Sequence, residues 1–474
     1  MSEPRPVLRI AVVSSLVALA ALVVPSLAAA QSAPLPWSSE QELRLPAHLT
    51  FVASDGGLAW TPAGAPSPRS IGRPGAAYAF PAFAPDGDRI AAIERQDGRA
   101  RAVVLGLPGA PDGRAERRVW FDDRSAPVIY LDWRDDGRAL LLLVGDAVGF
   151  SLREVTPDGV QRVLAQGAPL FWDQGPGGLV IHVGGPGPAR LVRVADGGEV
   201  VASYDAPGAF RSPAVSPSGR WLAYGERTTG DVRRAVIVRD GEAAQALEPD
   251  AAASFGGAND DPTGDGAARR ALDVLGLTAF AWHPQRDLLA LTRPLSNVPH
   301  SFGPLGGLDA ASGLFEPWTD APVLSFAWSP DGRRIGVLAT PSPGGERIAA
   351  DPQVPTLASL RPFGAPAGAP NGDAARAAQR VQGGALQFPV GLLDPVRAEV
   401  AWLGTVVPQA AYLNEQVPFF DQYARSHRSW SPDGRYWGLS LVGPDGRDVV
   451  AVLDARTGEL HALAPGTAPA FAPR

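Results

Sequence analysis

An all-β propeller is the fold this sequence predicts, from three observations. A hairpin motif recurs along the chain, its copies stay near 40 to 50 residues apart, and 54 glycines and 48 prolines suit many short strands joined by tight turns. The fullest copy is Phe326-Ala-Trp328-Ser-Pro-Asp-Gly332-Arg-Arg-Ile335-Gly-Val-Leu338. An apolar strand ends in an aromatic residue, a turn follows, and Ile335, Val337 and Leu338 resume a strand. In the turn Pro330 presets φ, Asp331 tolerates the second position, and Gly332 takes the φ > 0 position of a bulged loop.

Trp430-Ser-Pro-Asp-Gly434 and Phe83-Ala-Pro-Asp-Gly87 are close copies. Trp133-Arg-Asp-Asp-Gly137 has lost the proline, Val215-Ser-Pro-Ser-Gly219 the aromatic residue and Trp282-His-Pro-Gln-Arg286 the glycine, while Trp172-Asp-Gln-Gly-Pro-Gly-Gly178 is a degenerate form. With Phe471, the anchor positions lie 50, 39, 43, 67, 46, 102 and 41 residues apart, so two intervals are lengthened by insertions. Eight blades are expected, or seven if the unit at Trp172 merges with a neighbour. The final Pro469-Ala-Phe471-Ala-Pro473 repeats Pro81-Ala-Phe83-Ala-Pro85 and stops before a turn, whereas the first strand set lacks such a strand. One blade is therefore expected to be shared between the two ends, closing the ring.

Taken in order, Arg5 and Arg9 precede an apolar run from Ile10 to Val24, and small residues follow up to Ala30. This reads as a signal peptide, residues 1–30, cleaved after Ala30, with an uncleaved membrane anchor as the alternative. Either reading puts the body outside the cytoplasm, periplasmic or extracellular. With no cysteine the exported fold has no disulfides. Residues 31–42 read as a Pro/Ser linker whose trimming, from Gln31 to Ser39, is expected to do little. Residues 43–474 form the propeller. Leu49–Ala53, Leu58–Thr61 and Arg69–Gly72 are strands before the first full motif. The next unit runs through Ala79–Phe83, Arg89–Ile93, Ala102–Leu107 and Arg117–Phe121, and further units open near Val128, Leu170 and Ala209. Insertions are expected at 250–275, with a short helix at 267–275, and at 341–384, with a helix capped by Asp373. A third, at 405–426, is aromatic in character.

The aromatic-Ser-Pro-Asp-Gly-Arg pattern at 328, 430 and 83 resembles the WD-repeat-like β-propeller motif of TolB-type periplasmic proteins, also seen in the propellers of prolyl-oligopeptidase-like peptidases. The resemblance covers most of residues 43–474 and specifies a blade far more than a function. It departs from the TolB type in having about a dozen linker residues where that type has an α/β domain. It departs from the peptidases in ending within one strand of the last repeat and in lacking any Gly-x-Ser-x-Gly nucleophile turn.

A net charge of -7 and a pI near 5.5 give no basic stripe for phosphate backbones, so nucleic acid is not an expected partner. Arginine supplies every basic side chain, for the sequence holds no lysine. The six histidines show no zinc-site spacing, and Asn259-Asp-Asp261-Pro-Thr263-Gly264 starts like a calcium loop but has Arg270 where the bidentate acid belongs, so no metal and no cofactor is expected. The motif aspartates Asp86, Asp331 and Asp433 each belong to their own turn. The stretch that exceeds the repeat plan holds Tyr412, Phe419, Phe420, Asp421, Tyr423, Arg425 and His427, which read either as a rim or pore site for a polar ligand or as a staple holding an over-long connection to the ring. The expected function is non-enzymatic: a monomeric exported propeller that binds a protein, peptide or glycan or acts as an envelope scaffold, touching the membrane only through an uncleaved N-terminus. The alternative is a propeller lyase or hydrolase with its site at the channel mouth.

Overall fold

A computed structural model describes residues 33–38 and 42–473, apart from 109–115, 147–148, 185–188, 206–211, 228–232, 240–252, 255–268, 275–277, 295–301 and 341–386. The signal segment, the calcium-like loop 259–264 and the insertion 341–384 with its helix candidate lie outside the described residues, wholly for the first two and for the third wholly as well.

The chain is a β-propeller. Six sheets are separate blades, each built on a four-stranded antiparallel ladder whose first strand lines the axis, one of them carrying Ala253–Ser254 in addition as a parallel edge strand; the inner strands are Ala77–Phe83, Val128–Trp133, Leu170–Gly175, Ala214–Val215, Phe280–Trp282 and Val323–Trp328. The degenerate unit at Trp172 is one of them, its hairpin pairing Trp172 with Ile181. The remaining strands form one six-stranded sheet, ordered Tyr436–Val442, Asp448–Asp454, Leu460–Phe471, Leu49–Ala53, Leu58–Thr61, Arg69–Ser70. The separate blades are thus six, and the expectation of eight or seven is corrected. The reason is the strand Leu460–Phe471: its first half pairs with Val449–Leu453 and its second half with Leu49–Ala53, so two strand sets are joined in one ladder.

That strand also closes the ring as expected. Leu49 pairs with Phe471 and Thr50 with Ala470, and Phe471 is 1% exposed. The helix expected at 267–275 is instead a strand, Arg269–Val274, paired with Val238–Arg233. A blade that lacks its outer strand recruits this segment, and ladder hydrogen bonds outweigh a weak local helix preference.

The turns form as their residues require. Gly332, Gly434 and Gly87 have φ of 69°, 67° and 80°. Asp331 accepts hydrogen bonds from the Ser329 hydroxyl at 2.6 Å and the Arg333 amide at 3.1 Å, and Asp433 repeats the arrangement with Ser431 and Arg435. The motif tryptophans do more than fill the core. Trp133, Trp282, Trp328 and Trp430 donate through Nε1 to the carbonyls of Ala82, Ala214, Ala281 and Ala327, at 2.9 to 3.1 Å. Each acceptor lies in the preceding blade, one residue before that blade's own motif position, so a repeated bond fastens blade to blade. Trp172, 1% exposed, finds no partner for its Nε1 among the described residues.

The stretch read as a linker is docked along the ring. Leu35 is 3% exposed, its amide donates to Thr405 O, and Ser38 N and Leu460 N exchange bonds with Leu460 O and Pro36 O.

Candidate functional site

The aromatic stretch after the strand Glu399–Val406 runs down the axis of the ring. It takes a turn of wide helix at Tyr412–Gln416, a tight turn at Val417–Phe419 and a short helix, α1, Phe420–Ser426. Seven residues are too few for a stable isolated helix, so burial of Phe420, Asp421, Gln422, Tyr423 and Ser426 holds it. Asp421 in its first turn and Arg425 in its last suit the helix dipole. Phe420 packs edge-on against Phe326 at 5.2 Å, Phe419 lies 6.1 Å from Phe171, and Tyr423 sits 5.2 Å from Phe80 and 5.0 Å from Tyr130. The Gln422 side-chain carbonyl accepts from Trp172 N at 3.1 Å and from Ser212 Oγ at 3.0 Å. Tyr412 OH meets Ser325 Oγ at 3.0 Å. These partners belong to, or directly precede, the inner strands of five blades, which only an element on the axis can reach. The segment therefore plugs the channel.

Of the residues singled out in the sequence, Phe419, Phe420 and Tyr423 are packing groups of this plug, and Tyr412 ties its start to one blade. Asp421 is 3% exposed. His427 is held between Phe80 and Tyr130, its Nδ1 2.5 Å from Ser426 Oγ, and burial lowers its pKa to about 4. Of these residues Arg425 lines the open space beside the plug.

That space is a polar recess of about 70 Å³ at the end of the channel where the inner strands run into the motif turns. Its charged lining is Asp132, Asp135, Asp173, Arg425 and Arg428, with Gln174 between them and Phe83 and Trp133 as apolar wall. Arg425 donates to Trp172 O at 2.8 Å and pairs with Asp173 at 3.2 Å. Asp173 also accepts the Val215 amide, at 2.6 Å, binding one blade to the next. Gln174 Nε2 donates to Trp133 O at 2.6 Å and makes a longer contact, 3.4 Å, with Asp132. Desolvation raises Asp132 to about 7, helped by the neighbouring Asp135 charge, and raises Asp173 to about 6 against the pull of Arg425. Asp135 is raised for the same cause, and burial lowers Arg428 against the attraction of Asp132 and Asp135.

The sequence reading passed over Asp132, Asp135, Asp173, Gln174 and Arg428. A signal was present. Asp132 stands where other copies have Ala82, Ala281 and Ala327, and Asp135 stands where they have Pro85, Pro284, Pro330 and Pro432. Departures in one repeat, read above as wear, mark positions that the blade itself does not need. Among the described residues no group of three His, Asp or Glu side chains is placed to hold a metal ion.

No protein-family model and no curated protein matches the chain. Solved structures do. Dihydro-heme d1 dehydrogenase NirN is 13% identical over 94% of this chain and 80% of its own, with a TM-score of 0.50. An oligogalacturonate lyase in complex with manganese is 11% identical over 89% of this chain and 86% of its own, at 0.42. TolB from Acinetobacter baumannii is 13% identical over 57% of this chain, which spans 62% of that structure's length, at 0.34. The likeness to the first is one of fold alone, and the other two scores are too low to carry more.

Proposed function

We propose that the chain is an exported, non-enzymatic propeller that binds a protein or peptide partner at the charged recess on its axis. The observation that carries this reading is the plug: with residues 412–426 running along the axis, the described residues leave a shallow polar seat at one mouth. A recess of about 70 Å³ holds two or three waters or a single side-chain headgroup, far less than the several hundred Å³ of a pocket that encloses a whole small substrate. Binding therefore draws on the surrounding turns as well, which suits an extended partner. Export is proposed from Arg5, Arg9, the apolar run Ile10 to Val24 and the small residues before Ala30.

One observation favours the enzymatic alternative, a lyase or hydrolase: Ser426 lines the recess with its Oγ 2.5 Å from His427 Nδ1. Against it, that hydroxyl is already engaged by Tyr130 OH and by Tyr423 O, and a buried histidine with a pKa near 4 is a weak base at neutral pH. Panning a random peptide library against the mature chain tests the proposal. Peptides whose binding is lost in Asp135→Arg, a variant at the solvent-exposed lip, support it. Steady turnover of oligosaccharide or peptide substrates that Ser426→Ala abolishes would replace it with the enzymatic reading.

A further inference from the structure

We propose that the recess receives a cationic headgroup, the ammonium or guanidinium of a partner's basic side chain, with Asp132 as its buried counter-charge. This rests on the binding reading above and names the chemistry that the seat selects.

The first ground is the balance of charge. Arg425 is committed to Asp173 and Trp172 O, so of the two guanidiniums lining the recess only Arg428 is left opposite the Asp132 and Asp135 carboxyls, three carboxyls against two guanidiniums in all. The second is the state of Asp132. It is 6% exposed and lines the recess, yet makes no ion pair within 4 Å among the described residues; its carboxyl is met by the Trp133 backbone N–H and, at 3.4 Å, by Gln174 Nε2, both neutral donors. A carboxylate buried without a counter-charge is costly and is retained where something else pairs with it. The third is position. The corresponding alanines of three other blades show that the inner strand needs no carboxylate there, so the cost is not one of folding the repeat.

Size and wall complete the selection. About 70 Å³ admits one headgroup, and Phe83 with Trp133 offers an apolar face to the methylene stem of a long basic side chain. An anion would find only Arg428 to pair with, Arg425 being held by Asp173, and would sit against the Asp132 and Asp135 carboxyls. A neutral sugar hydroxyl would bring Asp132 no counter-charge. Arginine's planar donors suit two carboxylates on one wall better than a single ammonium does.

Calorimetry on the mature chain with agmatine, acetate and N-propylacetamide as probes tests this. Agmatine is expected to bind, acetate and the neutral amide not, and Asp132→Asn, which keeps the shape of the carboxyl, should weaken agmatine by about tenfold or more. Circular dichroism of that variant is expected to match the parent, so the loss reads as lost pairing. Acetate binding in place of agmatine, or agmatine affinity equal in parent and variant, would overturn the proposal. The peptide library separates the two readings. Enriched peptides that lack a basic residue and ignore Asp132→Asn overturn the cation seat and leave peptide binding standing. Agmatine binding as expected with no peptide enriched upholds the seat and overturns the peptide partner.

Discussion

Asp132 shows how one residue can weaken a fold while equipping a site. Burial holds its carboxyl at about 7, above the unfolded value of about 4, so the folded protein keeps a proton that the unfolded chain has released. Stability is therefore unaffected by this group below about pH 4 and falls as pH rises toward about 7, where the loss levels off. A shift of roughly three units sets a ceiling of about 4 kcal/mol. Asp132→Asn cannot ionise, so it should gain about 2 to 4 kcal/mol at about pH 8 and almost nothing at about pH 4, measured by urea unfolding at the two pH values. An equal gain at both would show that the carboxyl is not held protonated. Asp173, raised to about 6, follows the same sign, but its pairing with Arg425 makes the aspartate less free to replace.

Among elements, the inner strands are fastened to one another by the indole bonds, and the exception supplies a control. Trp430 and Trp172 are 2% and 1% exposed, but among the described residues only Trp430 Nε1 has a carbonyl to donate to, Ala327 O at 3.1 Å. Replacing either by phenylalanine removes a similar buried volume, whereas Trp430→Phe also leaves a carbonyl short of a donor. Trp430→Phe should therefore cost about 1 to 2 kcal/mol more than Trp172→Phe in chemical unfolding. Equal costs would mean that these bonds add nothing beyond packing. The plug is an element of a different kind, since its seven-residue helix is stable only because several blades contribute a surface to it.

For the whole molecule, closure is the decisive feature. Phe471 is buried against the first strand, with its amide donating to Arg428 O and that of Ala472 to His48 O. Removing residues 469–474 strips an aromatic side chain from the core and leaves Leu49 and Thr50, at the start of the first strand, without their ladder partners. Phe471→Ala alone should cost about 3 to 5 kcal/mol. Trimming Gln31 to Ser39, expected from sequence to do little, removes the buried Leu35 and its ladder bonds to Thr405, so it too should lower the melting temperature, by less than the C-terminal truncation. Thermal melts of the two truncations check the order. A smaller fall for the C-terminal one would show that closure through Phe471 is not what holds the ring.

The local parts were legible because their determinants are local. Strand alternation, the Ser-Pro-Asp-Gly turn with its glycine at positive φ, and a terminal strand that copies an inner strand all lie within a dozen residues, and each formed where the sequence placed it. Blade count was not legible, since whether Leu460–Phe471 divides two sheets or joins them depends on which neighbours it meets in space. The strand Arg269–Val274 was misread as helix for the same reason. The aromatic stretch Tyr412 to His427 could be singled out by composition, but its course along the axis is set by five inner strands that only the closed ring brings together. So too with the recess: Asp132, Asp173 and Arg428 are far apart in the chain, and convergence at one channel mouth is a property of the ring, which no spacing along the sequence encodes.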